Sequence, residues 1–260
     1  MTLGSKSVFI LAIALIAPAA LEAQMQWTFA PYLWGSDITV RADVNGVDTI
    51  DRTAQIKTTL DKTNFAGMLY LEGRGEHYGF FIDTTYLNTG SETTTVNATP
   101  AALARVEHVE GDFKSALVDA VVFLRPGGPT SGLDVFIGAR LMDIDQKLDF
   151  TFNGITPIRR VQVSKTLANG IAGIRYTAML SPTWDLSTRL DAGAGDAKFT
   201  WNAQATVGYW FGDRKNMSVR GGWKYMEMKY EEDQPGVDGG THIDSKLELS
   251  GPLVGFLFRW

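Results

Sequence analysis

Histidine is the residue type most often used for acid–base and metal chemistry near neutral pH, and the 260-residue chain has three, His77, His108 and His242. The chain has no cysteine, and no pair of these histidines has the spacing of metal ligands. A hydrolase needs a nucleophile, a base and an acid together, but residues three apart on a strand, such as His242 and Ser245, face opposite sides. We therefore expect no metal site, no cofactor and no enzyme activity.

Charged side chains recur at alternate positions within segments that are otherwise apolar. In segment 184–194, Asp185, Arg189 and Asp191 lie opposite Trp184 and Leu190. The same pattern predicts a set of residues that face the inside of a barrel: Glu72, Arg74, Asp83, Asp119, Arg140, Arg175, Asp185, Arg189, Asp191, Arg220, Lys224 and Arg259.

Two interpretations of this polar face remain open. Acidic and basic residues are mixed, which does not suit a strongly ion-selective pore, and a small barrel has just enough room for its own side chains. The first interpretation is therefore a salt-bridged interior that closes the barrel. The second is a narrow channel or small-solute site, lined by Arg140, Arg175, Arg189 and Arg220.

The elements that would position these residues are strands, because apolar and polar residues alternate with a period of two. The last segment is the clearest, with Val254, Phe256, Phe258 and Trp260 on one face. Alternation suits a soluble barrel as well as a membrane barrel, in which the apolar face points outward to lipid. Aromatic residues at strand ends, the heavily charged opposite face and the apolar final strand favour the membrane barrel.

Turn signals predict the number of strands. Short connections at 73–79, 126–132, 181–182 and 212–216 alternate with longer polar ones near 88–108, 153–160 and 231–242. The strands between them are expected at 25–41, 64–74, 78–96, 108–125, 132–152, 160–180, 183–194, 197–211, 216–231 and 242–260. The predicted fold is all-β, a closed antiparallel up-and-down transmembrane β-barrel of about ten strands, with eight or twelve as alternatives.

Residues 42–63 fit this scheme in one of three ways. They contain Asn45-Gly46, a strong hairpin signal, followed by a polar stretch. We interpret the segment as a long first outer loop, as a loop folded partly into the lumen, or as an additional pair of strands, which would give twelve.

The first residues have the pattern of a secretory signal. Lys6 precedes an apolar run at 8–17, and Ala23 is a small residue at the expected cleavage position. We expect residues 1–23 to be removed, leaving one barrel domain at 24–260. The net charge of −5 is modest and no basic block occurs, so nucleic acid is not an expected partner.

Several longer motifs resemble a widespread, largely uncharacterised group of Gram-negative outer-membrane β-barrel proteins. These are Trp27-Thr-Phe-Ala-Pro-Tyr-Leu-Trp34-Gly, Gly170-Ile-Ala-Gly-Ile-Arg175-Tyr, Trp201-Asn-Ala-Gln-Ala-Thr-Val-Gly-Tyr-Trp210-Phe-Gly-Asp-Arg214 and Gly251-Pro-Leu-Val-Gly-Phe-Leu-Phe-Arg-Trp260. The departures are Lys224, where arginine is expected, and Trp260 in place of a final Phe. The resemblance implies an integral outer-membrane barrel and no particular reaction, substrate or functional residue.

The same resemblance implies the partners. Outer-membrane lipid would surround the barrel, and periplasmic chaperones and the barrel assembly machinery would handle the chain. The assembly signal would be the final aromatic pattern of Phe256, Phe258 and Trp260. The expected function is envelope structure or surface interaction through outer loops at 42–63, 97–108 and 231–242, with a porin-like small-solute channel as the alternative and an outer-leaflet lipid-modifying enzyme less favoured.

Overall fold

Alternating residues form β-strands over almost the whole of the described chain. The computed structural model describes residues 25–44, 47–54, 63–94, 106–128, 131–152, 159–234 and 241–260. Its strands are β1 (Gln26–Trp34), β2 (Asp37–Val44), β3 (Val47–Ala54), β4 (Thr63–Arg74), β5 (Tyr78–Thr94), β6 (Val106–Leu124), β7 (Leu133–Phe152), β8 (Arg159–Met179), β9 (Trp184–Gly195), β10 (Phe199–Phe211), β11 (Met217–Gln234) and β12 (Thr241–Arg259). No helix within these residues is long and apolar enough to cross a membrane.

Ten of the strands close into one antiparallel barrel. Each strand from β4 to β11 pairs with the next along the chain, and β1 pairs with both β4 and β12. At the seam, Trp27 and Trp260 exchange two backbone hydrogen bonds with N···O distances of 2.9 and 3.1 Å. Closure lets the backbone groups of neighbouring strands satisfy one another, as the interior of a bilayer requires.

β2 and β3 form a hairpin that extends the sheet beyond the ring. β2 pairs with residues 243–250 of β12, just past the part of β12 that pairs with β1, and β3 pairs with β2. The chain bends between β1 and β2 at Gly35, whose N–H donates to the carbonyl of Pro252 at 2.9 Å. A Cβ on Gly251 would lie 1.8 Å from the carbonyl oxygen of Gly35, so the bend requires glycine at position 251.

The two ends of the barrel are different. Both described termini and the turns after β4, β6, β8 and β10 lie at one end, which we call the terminal end. The β2–β3 hairpin and the strand ends that flank 95–105, 153–158 and 235–240 lie at the other, the loop end. Gly212, in the turn after β10, has a φ of 85°, a left-handed conformation that favours glycine.

The outer surface of the barrel is apolar. Its exposed side chains include Leu33, Val122, Ile137, Ile174, Leu190, Val207, Val254 and Phe256. Aromatic pairs border this surface, Trp184 with Tyr209 toward the terminal end and Trp201 with Tyr225 further along, with ring centroids 5.1 and 4.6 Å apart. About eight residues of β10 separate Tyr209 from Trp201, which corresponds to a height of roughly 20 Å at about 3.3 Å per residue and a tilt of about 40°.

That height is close to the apolar band of about 25 Å expected for an outer-membrane barrel. Strands β5 to β8 have 17–21 residues each, whereas about 9–11 residues span a bilayer. Because the aromatic pair at Trp184 and Tyr209 already lies beside the terminal end, the surplus length projects at the loop end.

The predicted number and order of barrel strands are confirmed, and the differences lie at the loop end. The predicted first strand, 25–41, is interrupted at Gly35 by the bend over Gly251. Part of 42–63 forms the end of β2 and the whole of β3, while the predicted hairpin signal, Asn45-Gly46, lies outside the described residues. The predicted loops 88–108 and 231–242 are shorter, because β5, β6, β11 and β12 extend into them. The predicted signal, 1–23, also lies outside the described residues.

Candidate functional site in the charged interior

The twelve charged side chains selected from the sequence lie inside the barrel. Nine are buried, and Arg74, Arg220 and Arg259 are half-buried. The strands that carry them are β4 to β9, β11 and β12, so the charges come from most of the circumference. Apart from Arg74, which lies between Gly73 and Gly75, each has an apolar residue next to it in the chain, as the period of two requires.

Arg140 is the centre of a group of six charges that we call the middle network: Asp83, Asp119, Arg140, Arg189, Asp191 and Lys224. Arg140 binds both carboxylate oxygens of Asp119, at 2.8 and 2.9 Å, and Asp191 at 2.8 Å. Its remaining Nη1 donates to Thr200 at 3.0 Å. Arg140 is 1 % exposed, so its charge is neutralised entirely by these contacts.

The rest of the middle network reaches across the lumen. Arg189 on β9 contacts Asp119 at 2.7 Å, Asp191 at 2.8 Å and Asp83 at 3.5 Å. Lys224 on β11 contacts Asp83 at 3.3 Å from the other side. Strands β9 and β11 each lie four positions from β5 in the ring of ten, so Asp83 is held near the middle of the lumen. Three cations and three carboxylates balance within this network.

A second group, which we call the terminal-end network, lies nearer the termini and comprises Glu72, Arg74, Arg125, Asp134, Arg175, Asp185, Arg220 and Arg259. Arg175 donates to Asp134 at 2.7 Å and to Glu72 at 2.5 Å. Arg74 also bridges Glu72 and Asp134, at 2.5 and 3.2 Å. The five arginines of this network exceed its three carboxylates.

Aromatic rings separate the two networks along one wall. Phe81, Phe123 and Phe136 are buried and form a cluster with Val121 and Ile171. The guanidinium of Arg175 lies 5.2 Å from the centroid of Phe81 and 4.9 Å from that of Phe123, and Arg189 lies 5.0 Å from Phe81. These cation–π contacts supply partners for the faces of the guanidinium groups, whose edges bind carboxylates.

Beyond the middle network, toward the loop end, the interior is apolar. We call this set the outer apolar cluster: Trp34, Ile38, Met68, Leu117, Met142, Ile144, Leu167, Ala197, Met226, Met228, Leu247, Leu249 and Leu253. The expectation of a polar interior is therefore wrong for this part of the barrel. Strands that carry much of this cluster, including β7 with Met142 and β11 with Met228, continue toward the loop end. A barrel can be filled there by a hydrophobic core, as soluble proteins are.

A cavity of about 160 Å³ lies on the terminal-end side of the middle network. Its wall includes Ala30, Tyr70, Arg175, Arg220 and Arg259. Tyr32, Asp83 and Arg189 also line it, and these three belong to or contact the middle network. The cavity is thus bounded by that network on the side facing the loop end.

Several polar residues of the interior were missed in the sequence. The Tyr32 hydroxyl donates to Asp83 at 2.7 Å, and Tyr70 donates to Glu72. Aromatic residues of a membrane barrel are expected at the lipid interface. The sequence pattern therefore does not distinguish a tyrosine that points into the barrel from one that faces lipid. Asp134, the second residue of β7, has the same parity as Arg140 and could have been found from that alternation.

The histidines are not brought together with these networks. His77 lies exposed in the turn after β4, where its carbonyl accepts from Arg125 N–H at 2.7 Å. His108 and His242 lie in the loop-end parts of β6 and β12. Within the described part of the chain, no cluster of three or more histidine or acidic side chains could hold a metal ion.

An apolar exterior with aromatic borders, charges sequestered inside and a closed ten-strand ring define the class of protein, a bacterial outer-membrane β-barrel. No protein-family model matches the chain, and no curated protein sequence matches it.

Solved structures with some likeness are also outer-membrane proteins. The outer-membrane protease OmpT of Escherichia coli is 8% identical, with 92% of this chain and 98% of that one covered and a TM-score of 0.44. The translocator domain of the autotransporter NalP of Neisseria meningitidis is 14% identical, with 93% and 90% covered and a TM-score of 0.43. Ail of Yersinia pestis is 10% identical, with 88% and 99% covered and a TM-score of 0.35. With TM-scores this low, the class rests on the chain's own geometry.

Proposed function

We propose that the protein is a non-conducting outer-membrane barrel that supports a β-sheet and loops at the cell surface. The observation that carries the proposal is the contact of Asp83 with Arg189 and Lys224 from two sides of the lumen, at 3.5 and 3.3 Å. Side chains that meet in the middle of a ten-strand barrel leave no continuous water-filled path beside them.

The outer apolar cluster supports the same proposal independently. Met142, Leu167 and Met228 are 0 % exposed and come from three different strands. An ion crossing the barrel would have to separate paired buried charges and then pass an apolar layer, and both steps carry a large desolvation cost.

A small-solute channel is the alternative function from the sequence. The cavity near the terminal end favours a solute site there, but Arg189 and Asp83 bound it toward the loop end. We therefore propose that the cavity is a pocket closed at one side and not part of a channel, so that the protein does not transport solutes.

Liposome swelling tests the proposal. Purified protein refolded into liposomes should leave the permeability to a small sugar at the level of protein-free liposomes, while a wide porin reconstituted in parallel raises it. Heat-modifiable gel mobility of the same samples verifies folding. Sugar influx in proportion to folded protein would refute the closed barrel.

Display at the cell surface rests on the surplus strand length and on the β2–β3 hairpin. The proposal places the loop end outside the cell and the terminal end in the periplasm, after removal of residues 1–23. Since the chain has no cysteine, single cysteines report orientation directly. In intact cells, a membrane-impermeant maleimide should label Lys198→Cys at the loop end and not Asp213→Cys at the terminal end, and the reverse pattern would refute this orientation.

Assembly partners also belong to the proposal. Phe256 and Phe258 are exposed on the outer face of β12, and Trp260 follows its last residue. Barrel assembly machinery and periplasmic chaperones would act on this final strand, and outer-membrane lipid would then cover it. We propose no enzyme activity and no nucleic-acid partner.

A further inference from the structure

Four neighbouring strands meet beside the cavity at a place where polar atoms lack partners, and two of the residues there, Arg220 and Arg259, line the cavity. Asp185, Trp210, Arg220 and Arg259 lie on β9, β10, β11 and β12 at the terminal end. The Arg259 guanidinium lies 4.2 Å from the centroid of the Trp210 indole, and the Arg220 guanidinium lies 5.7 Å from it. We call this the arginine corner.

Three N–H donors in the arginine corner make no hydrogen bond with the described residues. They are Nε of Arg220, Nε of Arg259 and Nε1 of Trp210, and all three atoms are buried. Trp210 itself is 4 % exposed. Buried donors without acceptors are costly. Oδ1 of Asp185 is also buried without a partner in this corner, so unpaired donors outnumber unpaired acceptors by three to one, which indicates a further acceptor that the chain does not supply.

The balance of charge indicates that the acceptor is an anion. The middle network is neutral, whereas the terminal-end network has five arginines and three carboxylates, an excess of two positive charges. Arg74 and Arg175 share Glu72 and Asp134, and Arg220 is paired with Asp185. No carboxylate within the described residues forms an ion pair with Arg259.

The cavity limits the size of the anion. Its volume of about 160 Å³ is similar to that of an engineered apolar cavity that holds benzene. Besides Arg220 and Arg259 it is lined by the rings of Tyr70 and Phe81 and by Leu257, so its wall offers both guanidinium donors and apolar surface.

We propose that the arginine corner binds a small organic carboxylate that enters from the terminal end. The carboxylate accepts from the guanidinium groups of Arg259 and Arg220, which line the cavity, and the apolar body of the ligand lies against Phe81 and Tyr70. The site is a blind pocket, because Arg189 and Asp83 bound the cavity toward the loop end.

Titration calorimetry of the refolded full-length barrel tests this, with benzoate as the probe, benzamide as its uncharged counterpart and inorganic phosphate as an anion without an apolar body. Benzoate should bind with one site and benzamide should not. Arg259→Gln should weaken benzoate binding by about ten- to a hundred-fold, the effect of losing a charge-assisted hydrogen bond. Arg214→Gln, in the exposed turn after β10, is the matched control and should leave binding unchanged.

Ala30→Leu supplies a second variant that keeps every arginine. Ala30 lines the cavity, so leucine there should fill space and abolish binding even if Arg259→Gln fails to fold. Absence of benzoate binding to the wild type would overturn the proposal. Equal binding of benzoate by the wild type and by Ala30→Leu would also overturn the proposal. Binding of phosphate but not of benzoate would overturn the proposal that the ligand is an organic carboxylate.

Discussion

At the scale of single residues, the interior depends on charges that have no access to water. Arg140 is the clearest case, since its guanidinium makes four hydrogen bonds with Asp119, Asp191 and Thr200. Such a network is stable only when it is complete, because removing one member leaves an uncompensated buried charge.

We expect Arg140→Met to lower the free energy of unfolding by about 3–5 kcal/mol, the cost of breaking a buried ion pair from one side. Urea-induced unfolding in lipid vesicles, followed by tryptophan fluorescence, measures the change. Lys198→Met is the control, because the ion pair of Lys198 with Glu231 is exposed and should contribute little. Equal effects of the two substitutions would mean that the middle network does not stabilise the barrel.

At the scale of elements, the alternation of residues predicts the strands well and the loop end poorly. The charged side chains in 184–194 and the turn at 212–216 follow simple local rules. The bend at Gly35 depends on the close approach of β12, which is more than 200 residues away in the chain, and no local pattern reports such a contact. The outer apolar cluster was missed for a related reason, since a strand segment beyond the bilayer can be apolar inward.

Gly251 permits the bend between β1 and β2, and Gly221 offers a matched comparison on β11. We expect Gly251→Ala to destabilise the barrel by about 1–3 kcal/mol, the usual cost of overpacking, because its Cβ would meet the Gly35 backbone. Gly221→Ala should be neutral by comparison, since the nearest atom to its Cβ would be 4.0 Å away. Unfolding in urea tests both, and equal effects would argue against this contact.

The end of β12 gives a prediction about assembly. Trp260→Ala should reduce the folded fraction in the outer membrane, and Trp260→Phe should restore it, because a terminal aromatic residue is retained. Tyr209→Ala removes an exposed aromatic ring from the same end of the barrel and is the control. Heat-modifiable mobility of membrane fractions measures folding, and an equal loss in Trp260→Ala and Tyr209→Ala would refute a special role for the final residue.

At the scale of the whole molecule, the barrel has three levels. An apolar belt faces lipid, two charged networks and a small cavity fill the interior toward the terminal end, and the outer apolar cluster fills the interior toward the loop end. With this arrangement, adding a charge to the outer surface should destabilise the barrel, and removing a charge from the interior networks should destabilise it as well.

The lipid-facing belt is tested at Leu190, which is 51 % exposed and pairs with Ile174 and Ala203. Leu190→Arg should destabilise the barrel by about 2–4 kcal/mol if this surface lies near the middle of the bilayer. Leu180→Arg, in the turn after β8, should cost at most about 1 kcal/mol, as expected near the interface. Unfolding in lipid vesicles measures both, and similar costs would contradict the position of the belt.

Single-channel recording in planar bilayers tests the closed interior most directly, because monovalent ions are smaller than the sugar used in the swelling test. Wild-type barrel whose folding has been verified should insert without producing discrete conductance steps at moderate voltage. Steady, reproducible steps from that protein would contradict the closed lumen formed by Asp83, Arg189, Lys224 and the outer apolar cluster.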